Sequence, residues 1–512
     1  MLRKEALADQ MTPMRIIIIG GGTAGWMAAA CFTRFLPPGW SVTLVESDAI
    51  GTVGVGEATI PQIRLFNQAL GIDEDEFLTA TQGTIKLGIE FADWTRPGHR
   101  YMHAFGAIGR GLGLLEFQHY WLRARAAGVA GELGTYSLNE TAAHARRMQR
   151  GAPRTSPHLA EMPYAFHFDA ALYAAYLRRR AEAGGAQRVE GKVADVRLDG
   201  DSGNVAGVTL DDGRRIDGDL FIDCSGFRGL LIEGALATGY DDWSRWLIND
   251  RAIAVPCVHG ATPQLPWTGA TAREAGWQWR IPLQHRIGNG YVYSSHHISD
   301  EDAERTLLAH LDGAPQAQPN RLRFVSGKRR KLWNRNVVAL GLASGFMEPL
   351  ESTSIHLVQS GISRLLKMLP VGVADPAVAA EYNRQSDFEW ERIRDFLILH
   401  FKATERRDTR YWQDRAAMPI PDTLAAKIDQ FRAQGLIFRE HEELFTESGW
   451  LQVLIGQGIE PRAWHPLADG IGEAELAKYM AGISLMIERE VAVMQSYDDF
   501  LAATRPAAGV AA

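Results

Sequence analysis

RIIIIGGGTAGWMAAACF, running from Arg15 to Phe32, decides the fold. Its four consecutive isoleucines, Ile16 to Ile19, read as a strand buried on both faces, because such strands carry unbroken apolar runs in place of alternation. They lead into Gly20-Gly21-Gly22-Thr23-Ala24-Gly25 and then an alanine-rich helix. This is G-x-G-x-x-G in the strand–turn–helix setting that the motif requires. Gly20 allows the tight turn, Gly22 lets the backbone approach a pyrophosphate, and Gly25 lets the helix pack close on the strand. The pyrophosphate would sit at the helix N-terminus, where unpaired N–H groups and the helix dipole favour negative charge. A second apolar run, Val42 to Val45, ends in Glu46, 21 residues beyond Gly25, where an acid accepts hydrogen bonds from a ribose. The pattern predicts a bound dinucleotide, FAD or NAD(P). A glycine-rich turn that merely packs a helix leaves Glu46 unexplained.

At 512 residues, two or three domains are expected, and 46% apolar with 22% charged residues is globular. A net charge of −7 argues against a nucleic-acid or anionic-membrane partner. The basic cluster Lys328-Arg329-Arg330-Lys331 reads as a solvated strand edge. Cys31, Cys224 and Cys257 lie far apart, with neither metal-ligand nor disulfide spacing, which predicts a reducing, cytoplasmic setting and no metal. Residues 1–13 hold charges where a signal peptide needs an apolar core. The run from Ile16 to Phe32 is broken by four glycines and suits a nucleotide fold, not a membrane span.

Further along, the glycine-dense segment Gly51 to Pro61 predicts a loop that comes close to something flat or bulky. Gly83 to Phe91 reads as one apolar strand interrupted by Lys86. By composition an exposed lysine is the default; one facing a cavity would supply a compact charge and a nucleophilic amine. His103 and Phe105 share a face if their segment is extended. Phe168 to Glu182 reads as a helix, and two or three short strands follow between Val189 and Ile216. Asp219 to Gly226 is a strand ending in a small-residue turn, with Cys224 structural. Trp277 and Trp279, at i and i+2, share one face of a strand. Val337 to Leu340 is a buried strand entering GLASGFMEPLESTSIHL, residues 341–357, which holds two carboxylates and then Ser-Thr-Ser before a helix from Ile355 to Leu369. Ser352 or Thr353 can cap that helix, and a helix start of this kind is also an anion site. From Pro376 onward the chain reads as mainly helical.

Together these motifs resemble the flavin-dependent halogenases of the tryptophan halogenase type, over about Met14 to Leu501. The likeness rests on GGGTAGW (Gly20 to Trp26), GVGEATIP (Gly54 to Pro61), Lys86 ahead of Trp94, DLFIDCSGFRGLLI (Asp219 to Ile232), GWQWRIP (Gly276 to Pro282) and FMEPLEST (Phe346 to Thr353). The resemblance implies an α/β (α+β) fold. Its FAD-binding, Rossmann-like core is of the aromatic hydroxylase type, with a β-rich insertion and a mainly helical C-terminal part. The expected division is a leader (1–13), a core (14–375) with a substrate-side sheet insertion at about 85–330, a helical lid region (376–504) and a tail (505–512).

The family implies FAD reduced by a separate flavin reductase, then O2 and chloride or bromide yielding hypohalous acid. That acid travels to Lys86, whose amine hydrogen-bonds it or forms a haloamine. Glu351 would orient the electrophile and later stabilise or deprotonate the arenium cation. The flavin site would comprise Gly20, Gly21, Gly22, Thr23, Ala24, Gly25, Glu46, Ser47, Ile50, Val53, Gly54, Val55, Gly56, Ala58 and Leu342. Thr353 and Ser354 fall at the halide site, and Trp277 and Trp279 would wall the flavin off from a small aromatic substrate. His103 and Phe105 fall where the ring is sandwiched, with Phe445 a third ring. Family habit alone adds a homodimer. Two departures stand out. Ser354 replaces a usual glycine, and the lid looks shortened between Tyr411 and Trp450. There the tyrosine pair of the amino-acid clamp has no counterpart near Gln434; Glu440 remains, and Leu444 stands where an aromatic is expected. The reading is therefore a halogenase of indole or an indole derivative. An aromatic hydroxylase and a non-catalytic flavin-binding sensor are the alternatives.

Overall fold

The computed structural model describes residues 13–50, 56–370 and 375–504; Val53, Gly54 and Val55, the leader and the tail of the expected division lie outside the described residues, apart from Pro13. A six-stranded sheet forms the nucleotide-binding core, in the order Trp333–Asn334, Val337–Ala339, Leu220–Asp223, Arg15–Ile19, Ser41–Glu46, Gln187–Glu190. All its pairings are parallel except that of the outermost strand, Trp333–Asn334. The four isoleucines explain its central position: Ile16 and Ile18 face one hydrophobic core while Ile17 and Ile19 face another. The alanine-rich helix Thr23–Phe35 packs over the first face against the helix Ala170–Ala183.

A seven-stranded sheet stands beside this core, ordered Asn320–Arg323, Arg251–Cys257, Ile287–Tyr293, Gly276–Pro282, Thr268–Arg273, Gly88–Ala92, Arg100–Ala104. It is antiparallel save for the pairing of Thr268–Arg273 with Gly88–Ala92. A small sheet of Gly56–Ala58, Ala165–Asp169 and Thr84–Lys86 packs against the strands Gly276–Pro282 and Ile287–Tyr293 of the larger one. Helices dominate from the 27-residue Pro376–Lys402 onward. Among the described residues no helix is long and apolar enough to cross a membrane.

Three local expectations need correction. The run 83–91 is two strands in two sheets, Thr84–Lys86 and Gly88–Ala92. The chain changes sheets at Leu87, whose N–H bonds Pro266 and whose carbonyl takes the Phe105 N–H. Phe168 belongs to a strand, and the helix starts at Ala170 because the Asp169 carboxylate accepts the Ala171 and Leu172 N–H groups. The basic cluster is only half a solvated edge: Arg330 and Lys331 are exposed, but Lys328 and Arg329 are buried and paired. Lys328 is 2% exposed and meets Asp387 at 2.7 Å and Asp241 at 3.3 Å, while Arg329 meets Glu233 at 2.8 Å. Acids distant in sequence neutralise it, which composition does not reveal.

The strand carrying Lys86 is held on both sides. Thr84 Oγ donates to the Pro282 carbonyl at 2.6 Å, so it accepts from His167 Nδ1 at 2.9 Å, and His167 Nε2 then accepts from Thr268 Oγ at 2.9 Å. That wiring needs a neutral imidazole, and burial keeps His167 well below the usual histidine range. On the free edge, the fully buried Tyr497 hydroxyl takes the Ile85 N–H and donates to the Ile85 carbonyl, both at 3.1 Å, standing in for a missing strand. Tyr497→Phe leaves both groups unpaired, and a loss of about 1–3 kcal/mol is expected, measured as a lower midpoint in urea with unchanged slope.

Candidate active site

The glycine turn fits a dinucleotide. Gly20 has φ +110°, and a Cβ there would lie 2.3 Å from the Cys224 carbonyl oxygen; one on Gly25 would lie 1.9 Å from the Gly20 carbonyl oxygen. A Cβ on Gly22 would meet nothing within 4 Å, which leaves open space in front of the helix. No side chain caps this helix at Gly22, so its first N–H groups are available to phosphate oxygens. Glu46 ends the second strand with its carboxylate against Gly21, and Arg188 donates to Oε1 at 2.6 Å. Ser47 and the exposed Ile50 follow directly. Gly56 and Ala58 are buried in the small sheet, and Leu342 sits on the turn Gly341–Ala343, whose first residue presses on Ala24.

Lys86 lies at the end of its strand with no exposed surface. Burial draws its amine down to about 7, opposed by the charge of Glu351. Nζ donates to Ser352 Oγ at 2.7 Å and stands 5.4 Å from the centre of the Phe105 ring. Ser352 follows the short turn Pro349–Glu351 in a left-handed conformation, φ +60°, which aims its hydroxyl at the lysine. Such a backbone costs a non-glycine residue about 1–2 kcal/mol.

Glu351, also buried, is held by two imidazoles. His103 Nδ1 lies in hydrogen-bonding contact with Oε2 at 2.8 Å. His400 Nε2 lies 2.8 Å from Oε1, off the line of a hydrogen bond, while its Nδ1 donates to the Phe396 carbonyl at 2.9 Å. Burial pushes the Glu351 carboxyl upward, but the charge and hydrogen bond of His103 and the close approach of His400 outweigh it and hold it at about 2. The site therefore pairs a lysine that gives up its proton near neutrality with a carboxylate that stays ionised. Divergent values of this kind, in neighbouring buried groups, mark acid–base chemistry.

Aromatic rings surround this pair. Phe445 stacks on Phe396 at 3.8 Å and faces His103 at 6.1 Å, and Trp450 meets Phe396 edge-on. The structure thus gathers Lys86, His103, Phe105, Glu351 and Phe445. Trp277 and Trp279 lie 6.2 Å apart on one strand, with Trp279 flat over Gly290 and Trp277 against Trp94. The helix Ser354–Lys367 begins after Thr353 without a side-chain cap, contrary to expectation: Ser352 spends its hydroxyl on Lys86. The helix start is thereby compatible with an anion beside Thr353 and Ser354.

Glu440 departs from the ammonium-gripping arrangement. It is half exposed and pairs with Arg392 at 3.3 Å, one helical turn before Phe396, while Leu444 packs on the core. Sequence reading missed His400 and Phe396, though their four-residue spacing puts them on one helix face. Among the described residues, no group of three or more metal-binding side chains occurs.

Comparison with known proteins agrees with this geometry. The tryptophan halogenase family model matches residues 15–473. A tryptophan 6-halogenase of Streptomyces toxytricini is 39% identical over 89% of this chain and 92% of its own length. Among solved structures, Xcc4156, a flavin-dependent halogenase from Xanthomonas campestris, is 49% identical at a TM-score of 0.93, over 97% of this chain and 99% of that one. BrvH, a flavin-dependent halogenase from Brevundimonas sp. BAL3, is 43% identical at 0.91, over 97% and 100%. The chain belongs to the tryptophan halogenase family. It is a flavin-dependent halogenase, an oxidoreductase that uses reduced FAD and halide.

The buried lysine yields a stability test. Its folded value is depressed, so the penalty for burying the ammonium is full below pH 7 and fades as pH rises toward its ordinary value of 10.5. Lys86→Met is expected to raise the melting temperature clearly at pH 6.5 and much less at pH 9.5, read by scanning calorimetry.

Proposed function

We propose that this halogenase acts on indole, an indole derivative or another electron-rich aromatic in preference to free tryptophan. The observation that carries the substrate reading is the Arg392–Glu440 ion pair: the acid at the clamp position is already neutralised. With no tyrosine pair near Gln434, an amino-acid ammonium has no strong partner there, whereas the ring-binding side chains His103, Phe105 and Phe445 are retained.

When bound, reduced FAD from a separate flavin reductase would supply the oxidising chemistry that turns O2 and halide into hypohalous acid. Glycines Gly20 to Gly25 with Glu46 would hold the dinucleotide, Thr353 and Ser354 the halide, and Trp277 and Trp279 the boundary with the substrate. Lys86, neutral above pH 7, carries the lone pair on which X⁺ is captured; OH⁻ leaves with the amine proton as water. The aromatic ring, placed between His103 and Phe105, attacks the N–X halogen; the N–X electron pair returns to the Lys86 nitrogen, which regains the one proton it gave up, balanced by the proton lost from the ring. Glu351 stabilises the resulting cation and removes its ring proton. Ser352 aims the amine, and the two imidazoles keep Glu351 ionised and oriented.

The test is a product assay with a generic flavin reductase, NADH, FAD, O2 and either chloride or bromide, read by isotope pattern. Halogenated indole that disappears in Lys86→Ala is expected, with tryptophan turned over poorly. Fast turnover of tryptophan without indole products would overturn the substrate reading, and hydroxylated product formed without halide would favour an aromatic hydroxylase.

Two further outcomes test the roles. The single-turnover halogenation rate is expected to rise with pH through about 7 as Lys86 loses its proton; a fall over that range would instead favour an ammonium that hydrogen-bonds hypohalous acid. Glu351→Gln is expected to slow the chemical step about 10²–10⁴-fold with little change in flavin binding, seen by rapid-quench kinetics beside flavin titration.

A further inference from the structure

Glu348 precedes Glu351 by three residues and is fully buried. Its Oε2 accepts two N–H groups, from Asn249 Nδ2 and from the Trp277 indole Nε1, each at 2.8 Å. Among the described residues, Glu348 Oε1 has no hydrogen-bond partner. Burial first and Glu348 second hold the Tyr411 phenol well above its usual range. Arg415, on the same helix as Tyr411, spends a guanidinium N–H on the Trp246 carbonyl at 2.8 Å.

A carboxylate with one bare oxygen in a dry interior is costly. Burial accordingly draws the Glu348 carboxyl up to about 7. The hydrogen bonds of Asn249 and Trp277 and the charge of Arg415 oppose that rise, and whether or not the acid holds a proton on its bare oxygen, Oε2 accepts from Trp277 and Asn249. The Trp277 link also joins two separate elements. Trp277 belongs to the strand Gly276–Pro282 of the seven-stranded sheet, and Glu348 leads into the turn Pro349–Glu351. On its other side Trp277 meets Trp94, and Trp94 meets His400, which faces Glu351.

We propose that Glu348 is a positioning residue: its carboxyl group clamps the Trp277 indole to the Pro349–Glu351 turn, so that the flavin boundary and the catalytic carboxylate keep a fixed relation. The proposal rests on the reading of Trp277 as that boundary.

The experiment compares Glu348→Ala, Glu348→Gln, Trp277→Phe and the double variant Glu348→Ala/Trp277→Phe in the full chain. One readout needs no flavin: the ¹⁵N–¹H signal of the Trp277 indole, assigned through Trp277→Phe. In Glu348→Ala this signal is expected to shift and its hydrogen exchange to speed up. The fraction of reduced flavin ending in halogenated product is expected to fall about fivefold, the loss of one net hydrogen bond. Glu348→Gln, with a neutral acceptor and donor, is expected to restore both readouts. The double variant should be no worse than Trp277→Phe alone.

An unmoved indole signal in Glu348→Ala, additive losses in the double variant, or Glu348→Gln as damaging as Glu348→Ala would each overturn the clamp. If Glu348→Ala does not fold, Glu348→Asp, which withdraws the acid by one methylene, is read the same way. Failure of the parent enzyme to halogenate any aromatic would count against the functional reading alone, because the indole signal still reports the clamp.

Discussion

The Lys86 amine sits in a dry interior, hydrogen-bonded to the Ser352 hydroxyl, and much of the surrounding structure serves to keep it there. An ammonium in such a place is expensive unless it is paired or loses its proton. Here Glu351 supplies a nearby opposite charge without a direct bond, and burial brings the proton affinity close to neutrality. The lysine is thus neither a structural salt bridge nor a solvated surface charge. It is a buried amine without a direct counter-ion, and on the proposed reading that is what would leave its lone pair available to electrophilic halogen.

Holding the amine in place draws on distant parts of the chain. His167 bonds the Lys86 strand to the seven-stranded sheet through Thr84 and Thr268. Tyr497, more than four hundred residues along, completes its free edge. The left-handed Ser352 carries local strain so that its oxygen reaches Nζ. On the facing side, His103 comes from the seven-stranded sheet and His400 from the long C-terminal helix; both converge on Glu351. Seven-stranded sheet, small sheet, turn and long helix each contribute side chains around Lys86 and Glu351.

The same convergence bears on specificity. Phe396 and Phe445 form a stacked surface beside His103, while Arg392 one turn away neutralises Glu440. On the proposed substrate reading, a planar ring would find hydrophobic and aromatic partners there, whereas a zwitterionic tail would have to displace an existing ion pair. Discrimination of this kind follows from leaving polar substrate groups without partners, which costs more than a missing apolar contact.

The nucleotide half was legible in the sequence, since its constraints are local. Only glycine tolerates the backbone at Gly20 and the close approach at Gly25, and continuous isoleucines suit a strand covered on both faces. The resemblance carried Lys86, Glu351 and the aromatic positions as well, because their motifs are distinctive. Pattern alone misjudged Lys86 and Lys328 as exposed: alternation fixes which face a side chain takes, not what covers that face. It missed His400, Tyr497 and the Glu348–Trp277 bond for the same reason. Each is a pairing between residues 49 to 412 positions apart, or between a lone side chain and an edge. Sequence determined the local backbone demands and the kinds of reactive group available. Tertiary structure decided which groups are dry, which are paired and hence which proton is held, because burial and partner geometry exist only once the chain has folded.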